Sequence, residues 1–274
     1  MKLAIFQSRT GVDPQANAEA LVAAVEEAAA GGAVMLFTPE MSGLLDQDRA
    51  RASKNLRTEA DDPVLAAVRD AAARMGIWVH LGSLALREEG EERLVNRGFV
   101  IDSSGGIRAR YDKIHLFDVD LPTGESWRES SSYRPGEGAA VVETPLGLLG
   151  MSICYDLRFA GLFAALTDAG ATILGIPAAF TVPTGEAHWH VLMRARAIEA
   201  GVFVIAAAQC GQHEDGRRTY GHSLVVGPWG EILLDMGEAV GVGFAETDPA
   251  RVDEVRGRLP AIRHRRPIPK PRLS

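Results

Sequence analysis

Short apolar runs alternate with longer amphipathic ones along most of this chain. In the first part, the pattern predicts a strand, an Ala-rich helix, a second strand and a second helix, at Leu3–Phe6, Asn17–Ala30, Ala33–Phe37 and Pro63–Met75. Three more strands follow without an intervening helix, at Ile77–Leu86, Leu94–Ile101 and Ile107–Tyr111, and such neighbours are typical of antiparallel hairpins. The alternation predicts an α/β protein.

The second half repeats this alternation. Strands are predicted at Leu148–Ile153, Thr172–Ile176 and Val202–Ala207, and helices at Gly161–Ala169 and His188–Ala200. A hairpin is expected from Gly221–Val226 and Glu231–Leu234, followed by a last strand at Val242–Ala245 and a last helix at Pro249–Leu259. Because mixed sheets need helices over their outer faces, two packed sheets with outer helices are expected.

No repeat or linker divides the chain, so we expect a single domain over residues 1–274. The longest irregular stretch, Phe117 to Gly138, is predicted to form a wall of the active site, since long loops inside a domain are usually functional. Residues 260–274 contain several Pro and Arg and are predicted to be an extended tail. That tail either lies on a surface or a partner subunit, or is disordered.

Composition narrows the classes of partner. The chain has a net charge of -7, which argues against nucleic acid or an anionic membrane as the main partner. No apolar stretch is long enough to span a bilayer, and the N-terminus lacks the features of a signal peptide. The two cysteines leave no room for a disulfide framework. A cytoplasmic location is therefore predicted, with a small molecule as the partner.

The strongest candidate for chemistry is Cys154, which ends a buried strand and is followed by a segment that opens a helix. A thiol that attacks carbon needs a base and a site for the resulting oxyanion. Two other strand ends offer these groups, because Phe37–Met41 contains Glu40 and Tyr111–Leu116 contains Lys113. The three segments together favour nucleophilic catalysis.

Each of these residues also has a plainer interpretation. A lone cysteine at a strand end is usually a small buried hydrophobe, and Cys210, which lacks a following helix, keeps that interpretation. Glu40 alone could simply close a strand, and Lys113 alone could be a solvated charge on an edge strand. Taken with Cys154, these interpretations are the less economical ones.

The segments Phe37–Met41, Tyr111–Leu116 and Ile153–Phe159 resemble the three signature segments of the nitrilase superfamily of carbon–nitrogen hydrolases, in the order that the family uses. The resemblance extends over nearly the whole chain. It implies a four-layer α-β-β-α sandwich that forms a homodimer or higher homo-oligomer through its helices. It also implies an amidase that needs no cofactor and no metal.

The resemblance assigns roles residue by residue. Glu40 matches the general base, Lys113 the cationic stabiliser of the oxyanion, and Cys154 the nucleophile. Glu129 matches a second glutamate near the lysine, although Glu125 lies in the same loop and stays an alternative. Burial is expected to raise the pKa of the base toward neutrality, so that it can accept and return a proton. The backbone N–H of Tyr155 is expected to share the oxyanion with the lysine.

The substrate is suggested by Ala206–His213, Tyr220–Ser223, the surroundings of His188, and Arg265–Pro267, which are similar to the deaminated glutathione amidase branch. That branch cleaves the side-chain amide of an α-keto acid and releases 2-oxoglutarate and cysteinylglycine. Arg158 is the expected contact for the keto-acid carboxylate, or else the member of a structural salt bridge. An ω-amidase acting on 2-oxoglutaramate, a nitrile or N-carbamoyl hydrolase, and a silent binding protein are the alternatives.

The histidines do not form an obvious metal motif. His188 and His190 are two positions apart and would not share a helical face, and no suitably spaced third ligand follows. Capping, substrate contact or surface exposure is expected for them, and His188 is retained as a candidate substrate contact. A structural role is expected for His115 and His222.

Overall fold

Two six-stranded sheets form the centre of the protein, which the computed structural model describes for residues 1–120, 124 and 126–270. The first part of the chain contains β1 (Lys2–Gln7), α1 (Pro14–Ala30), β2 (Met35–Phe37), α2 (Arg49–Asn55), α3 (Pro63–Met75), β3 (Trp78–Leu86), β4 (Val95–Ile101), β5 (Ile107–Asp112), β6 (Asp118–Asp120) and β7 (Ser126–Arg128).

The remaining elements are β8 (Val141–Thr144), β9 (Gly147–Met151), α4 (Ala160–Asp168), β10 (Ile173–Gly175), α5 (Val182–Ala200), β11 (Phe203–Ala206), β12 (Cys210–Gln212), β13 (Arg218–Tyr220), β14 (Leu224–Val226), β15 (Ile232–Asp235), β16 (Gly241–Glu246) and α6 (Ala250–Arg258). Short 3-10 helices occupy Glu129–Ser131, Cys154–Arg158 and Ala261–His264. Among the described residues, no helix is long and apolar enough to cross a membrane.

Each sheet combines parallel and antiparallel strands. The first has the order β16-β1-β2-β3-β4-β5, and the second has the order β15-β14-β11-β10-β9-β8. The strands at the centre of each sheet run parallel, whereas hairpins and the antiparallel pair β1–β16 form the edges. Two small hairpins, β6–β7 and β12–β13, lie outside the large sheets.

The alternation of side chains along the strands explains the layers. In β1, Leu3 and Ile5 belong to the core between the two sheets, whereas Ala4 and Phe6 pack in the core beneath α1 and α3. Because successive strand residues point to opposite faces, both faces of this sheet are buried. The helices α4 and α5 cover the outer face of the second sheet. The predicted four-layer α-β-β-α sandwich is confirmed.

Several predicted boundaries are wrong for identifiable reasons. Helix α5 begins at Val182 rather than His188, with a proline in its first turn, and the polar residues there hide its periodicity. Gly185 in that turn lies against Tyr220, where a Cβ atom would be 2.1 Å from the ring, so the close packing requires glycine. The sequence pattern also missed α2, β8 and the β12–β13 hairpin, which are short or polar.

Two segments predicted to be irregular have more structure than expected. The stretch after Phe117 contains β6, β7 and a 3-10 turn within its described part. The tail begins with a 3-10 turn, and Arg265 then contacts the end of α4 through Thr167 at 3.0 Å and Asp168 at 2.5 Å. The start of the tail therefore lies on its own chain.

Candidate active site

Glu40 lies just beyond the end of β2 and is almost completely buried. Its Oε1 atom accepts hydrogen bonds from Lys113 Nζ at 2.9 Å and from Asn96 Nδ2 at 3.0 Å, and its Oε2 atom accepts one from the Ala179 N–H at 3.0 Å. Gln209 donates to the Glu40 carbonyl at 2.9 Å. Ala179 and Gln209 follow strands of the second sheet, so both sheets hold this carboxylate in place.

Lys113 follows β5 and brings a second carboxylate into the cluster. Its Nζ atom lies 2.9 Å from Glu129 Oε2 and 2.9 Å from Glu40 Oε1. Glu129 is fixed in turn, because the Phe117 N–H donates to its Oε2 atom at 2.7 Å. The Lys113 side chain is 2% exposed, so its ammonium group is desolvated and depends on both carboxylates for compensation.

Asn96 is a member of this cluster that sequence reasoning missed. Its side-chain amide donates to Glu40 and, at 3.2 Å, to Glu129, so a single side chain orients both acids. Asn96 lies within β4 on the face that points to the second sheet, together with Gly98 and Val100. The sequence does contain a signal, because Asn96 is a polar residue at a core-facing position of a predicted strand. It was overlooked because the strand around it is mostly hydrophobic.

Cys154 begins the 3-10 helix after β9, where the sequence predicted that a helix opens, and helix α4 begins at Ala160, one residue before the predicted start at Gly161. Its backbone is left-handed, with φ of 50°, which is rare for a residue other than glycine. Its N–H donates to the Pro177 carbonyl at 2.8 Å, which holds the turn against the second sheet. Cys154 lines the same cavity as Glu40 and Lys113, so the structure brings together the three residues that the sequence predicted.

Asp156 ties this turn to the Lys113 segment. Its buried carboxylate accepts hydrogen bonds from the Tyr111 hydroxyl at 2.7 Å, the His115 N–H at 3.0 Å and the Ile153 N–H at 2.9 Å. His115 Nδ1 is also 2.7 Å from the carboxylate, which gives His115 the structural role expected for it. The strand end that carries Lys113 and the turn that carries Cys154 are therefore held together by one side chain.

The electrostatics set the resting protonation states. Burial alone would raise the pKa of Glu40, but the Lys113 ammonium and the hydrogen bonds to Lys113 and Asn96 lower it below the usual value. The expectation of a raised pKa for Glu40 is therefore wrong. Burial and the Glu40 charge raise the pKa of Cys154 well above its usual value, although Lys113 opposes them. The resting site thus pairs a neutral thiol with a carboxylate that is already ionised.

A cavity of about 990 Å³ opens above these residues and is lined by Glu40, Lys113, Glu129 and Cys154. Its described lining includes Lys113 and seven arginines, against only four carboxylates. The arginines are Arg49, Arg87, Arg93, Arg128, Arg158, Arg217 and Arg218. The cavity lining therefore has the opposite sign of charge to the whole protein, whose net charge is -7. A positive cavity attracts anionic ligands.

The predicted substrate contacts are only partly at the cavity. Tyr155 and Arg158 line it, and Phe180 lies on the same wall, 5.7 Å from the Arg158 guanidinium to its ring centre. Within the described residues, Arg158 has no carboxylate partner, so the predicted alternative of a structural salt bridge is not seen there. His188 lies outside the described cavity lining but its Nδ1 is 3.3 Å from Arg158 Nη2.

The alternative second glutamate, Glu125, lies outside the described residues. Glu129 is in the position that the resemblance assigns to it, beside Lys113. Cys210, the other cysteine, is fully buried in the β12–β13 hairpin, and its N–H donates to Ser8. It is separate from the acid–lysine cluster.

Comparisons with known proteins agree with this site and fold. The profile of the family described as carbon-nitrogen hydrolase matches residues 2–257. A deaminated glutathione amidase from Yersinia enterocolitica is 42% identical over 247 residues, which cover 89% of this chain and 86% of that protein. The NitFhit protein of Caenorhabditis elegans superposes with a TM-score of 0.90 at 37% identity, covering 97% of this chain and 65% of that one.

A third relative carries information about its own active site. A glutamate-to-glutamine mutant of the amidase from Nesterenkonia sp. AN1 shows acrylamide added to the active-site cysteine. It superposes with a TM-score of 0.78 at 26% identity, and the match covers 94% of this chain and 98% of that one.

The fold and the matched profile define a carbon–nitrogen hydrolase, and this chain belongs to that family. It is a hydrolytic enzyme of the amidase class. The resemblance to the nitrilase superfamily is confirmed.

Proposed function

We propose that the enzyme hydrolyses the side-chain amide of an anionic α-keto acid through a thioester on Cys154. The most fitting substrate is deaminated glutathione, which would yield 2-oxoglutarate and cysteinylglycine. The observation that carries the proposal is the arginine-lined cavity above Cys154, since this substrate has a carboxylate at each end. The name of the Yersinia enterocolitica relative supports the same choice.

The first half of the reaction uses the resting protonation states. As the Cys154 sulfur attacks the amide carbon, Glu40 takes the thiol proton, for which the lowered pKa of this carboxylate keeps it ionised. The oxyanion is stabilised by the Lys113 ammonium and the Tyr155 N–H. When the tetrahedral intermediate collapses, the C–N bond breaks and Glu40 returns the proton to the leaving amine. An acyl thioester and a free amine result.

The second half regenerates the enzyme. Glu40 takes a proton from water, and the water oxygen attacks the thioester carbon. The C–S bond then breaks, the sulfur recovers its proton from Glu40, and the acid product leaves as a carboxylate. Throughout, Glu129 and Asn96 hold Lys113 and Glu40 in register by the hydrogen bonds described above. Glu129 therefore acts in this proposal as a positioning residue for the ammonium.

Intact-protein mass spectrometry after brief incubation with deaminated glutathione tests the reaction class. Wild type should gain the mass of the keto-acid acyl group, and Cys154→Ala should gain nothing. Glu40→Gln should stay folded and lose turnover by at least about 100-fold, because a general base contributes roughly that much. An active Glu40→Gln protein would remove this residue from the mechanism.

Steady-state assays then test the substrate. The value of kcat/KM should be higher for deaminated glutathione than for 2-oxoglutaramate, an aliphatic nitrile or an N-carbamoyl amino acid. A preference for 2-oxoglutaramate would identify an ω-amidase. A preference for the nitrile or the N-carbamoyl amino acid would identify a nitrile or N-carbamoyl hydrolase instead. No turnover of any of them would contradict the substrate proposal.

The enzyme is also proposed to act in the cytoplasm and as a homodimer. A reducing compartment suits a mechanism that needs a free thiol. Large apolar side chains are exposed at Val191 and Ile198 of α5 and at Ile232 and Leu233 of β15. Exposed apolar side chains of this size suit pairing with a second copy of the chain. Light scattering should give twice the monomer mass, and Val191→Asp should lower it; a monomeric wild type would contradict the proposal.

A further inference from the structure

Three side chains on the far side of the second sheet converge outside the active-site cavity. His190 lies on α5, His222 lies just before β14, and Asp235 ends β15. His190 Nε2 is 3.0 Å from Asp235 Oδ2, and His222 Nδ1 is 2.9 Å from Asp235 Oδ1. The three donor atoms all lie within 4.8 Å of one another. None of the three residues lines the described cavity.

The geometry points to a binding site for one divalent transition-metal ion, held by His190, His222 and Asp235. Two imidazoles and one carboxylate form a donor set that zinc adopts in sites that keep a fourth position for water. Donors about 2.1 Å from a tetrahedral zinc lie roughly 3.4 Å apart. Ligation therefore requires the 2.9 and 3.0 Å contacts to lengthen and the widest of the donor separations, which are all within 4.8 Å, to approach that value.

The surroundings of the site favour a cation. Among the described residues, no lysine or arginine lies within ion-pair distance of Asp235.

Neighbouring groups also hold the ligands in place. The Gly237 N–H donates to Asp235 Oδ1 at 2.9 Å, and the Tyr220 ring stacks on His222 with centres 4.5 Å apart. Backbone hydrogen bonds fix His222 itself, because its N–H donates to Gly237 and its carbonyl accepts from Trp189, both at 2.7 Å. Oriented ligands of this kind are what metal sites need.

Sequence spacing concealed this group. His188 and His190, the pair that the sequence suggests, are two positions apart and make separate contacts, with Arg158 and Asp235 respectively. The second imidazole and the carboxylate come from a different region of the chain, beside β14 and at the end of β15. To bind a metal ion, each imidazole must present a lone pair on the ring nitrogen that faces Asp235. A change of tautomer moves the proton to the other ring nitrogen and leaves the charge of the ring unchanged.

Isothermal titration with Zn²⁺ tests the site in full-length protein that has been treated with a chelator. Every protein carries Cys154→Ala, so that the active-site sulfur cannot take the metal. The parent should bind one equivalent. His190→Gln, His222→Asn and Asp235→Asn should each weaken binding by at least about tenfold, since even the loss of outer partners of metal ligands costs that much. Asparagine is chosen at His222 because the backbone there is left-handed, with φ of 54°.

His264→Ala provides the matched control, because His264 is an exposed histidine outside the group. It should bind Zn²⁺ as tightly as the parent. Far-UV circular dichroism verifies that each variant is folded, and added Zn²⁺ should raise the Tm of the parent and of the control but not that of Asp235→Asn. Absence of saturable binding in the parent, or binding unchanged in the three ligand variants, would show that the cluster is only hydrogen-bonded.

Discussion

Cys154 occupies a backbone conformation that disfavours every side chain, including its own. Its φ of 50° lies in the left-handed region, where a Cβ atom costs about 1 kcal/mol relative to glycine. The chain accepts this strain where the turn presents the thiol to Glu40. Backbone strain of this kind is common at functional sites.

We therefore expect two inactive variants of this residue to differ in stability. Cys154→Gly should have a free energy of unfolding about 1 kcal/mol higher than that of Cys154→Ala, because only glycine adopts this conformation without strain. Urea unfolding followed by circular dichroism measures the difference. As a control, the same pair of substitutions at Cys210, which is not among the left-handed residues, should favour alanine. Equal stability of the two Cys154 variants would contradict the strain.

Asn96 is expected to be a positioning residue. Asn96→Leu keeps the volume but removes the donor to both acids, and hydrogen bonds to charged groups contribute about 1.5 to 3 kcal/mol. The value of kcat should fall by about 10- to 100-fold with a smaller change in KM. The acid limb of the pH profile should also move to higher pH, because Asn96 helps to lower the pKa of Glu40.

An unmoved acid limb in Asn96→Leu would indicate a purely structural role. Asn55→Leu is the control, because Asn55 makes only a 3.4 Å hydrogen bond to a backbone carbonyl and does not line the described cavity. Its pH profile should match that of wild type.

At the residue scale, sequence reasoning was strongest where a motif carried the chemistry. Glu40, Lys113 and Cys154 were each identified because they stand directly after or at the end of an apolar run, and the structure brings all three together. Asn96 was missed because it lies inside a strand, where no end of an apolar run marks it. The pKa of Glu40 was predicted in the wrong direction, since burial can be inferred from sequence but the distance to Lys113 cannot.

Among the elements, β4 and β5 are tied to the loop before α3 by Arg97. Its guanidinium lies 2.6 Å from Asp112, 3.1 Å from Glu59 and 2.7 Å from Glu88, and its side chain is 15% exposed. These contacts join segments that are far apart in sequence. The ion pairs are partly screened, so they contribute less than a fully buried network.

Arg97→Met should lower the free energy of unfolding by about 2 kcal/mol at pH 7. Burial raises the pKa of Glu59, but the Arg110 and Arg97 guanidinium groups outweigh burial and lower this pKa below 4.5. Arg134 and Arg97 likewise lower the pKa of Glu88 below 4.5. The stabilisation is therefore complete above pH 4.5 and is lost as the pH falls through the lower folded values. The gap between variant and wild type should shrink at pH 4.

Urea unfolding at both pH values measures this gap. Arg74→Met removes an exposed pair with Glu26 at 3.2 Å and should change stability by less than about 0.5 kcal/mol at either pH. A gap for Arg97→Met that is the same at pH 4 and pH 7 would mean that packing, rather than charge, is what the residue contributes.

Elements were predictable in proportion to their periodicity. Helix α3 was placed at its observed ends, because a proline follows its Asp62 cap and the left-handed Gly76 ends it. Helix α5 was shortened because Thr184, Gly185 and Glu186 carry no apolar stripe. The prediction began β2 two residues early, at Ala33, and β14 three residues early, at Gly221.

For the whole molecule, the contrast between an acidic protein and a cationic cavity predicts a dependence on salt. The KM for deaminated glutathione should rise severalfold between about 0.1 and 1 M KCl, as the Debye length falls from roughly 10 to 3 Å. The value of kcat should change little, since the buried ion pairs are less screened. For 2-oxoglutaramate, which has one carboxylate, the rise in KM should be smaller.

Assays of both substrates across this range decide the matter. Arg158→Gln should reduce the salt dependence of KM, whereas Arg108→Gln, which is exposed and outside the described cavity lining, should not. Salt-independent KM values would mean that the arginines do not act on the substrate through charge.

The arrangement of the two sheets was predictable from the resemblance, but the cationic cavity was not. Its arginines come from segments scattered between Arg49 and Arg218, several of which lie in loops without a motif. Only the fold brings them to one wall. Sequence alone therefore gave the reaction class more directly than the charge preference of the cavity.

The first sheet contains strands from both extremes of the folded region, because β16 pairs with β1 along its edge. On the ribosome, Glu40 and Lys113 emerge well before Cys154, and the β1–β16 edge is completed last. A nascent chain whose β9 has not yet left the ribosome already contains Glu40 and Lys113 but does not yet contain Cys154. Vectorial synthesis thus delays the appearance of the nucleophile until the strands that precede Glu40 and Lys113 have been made.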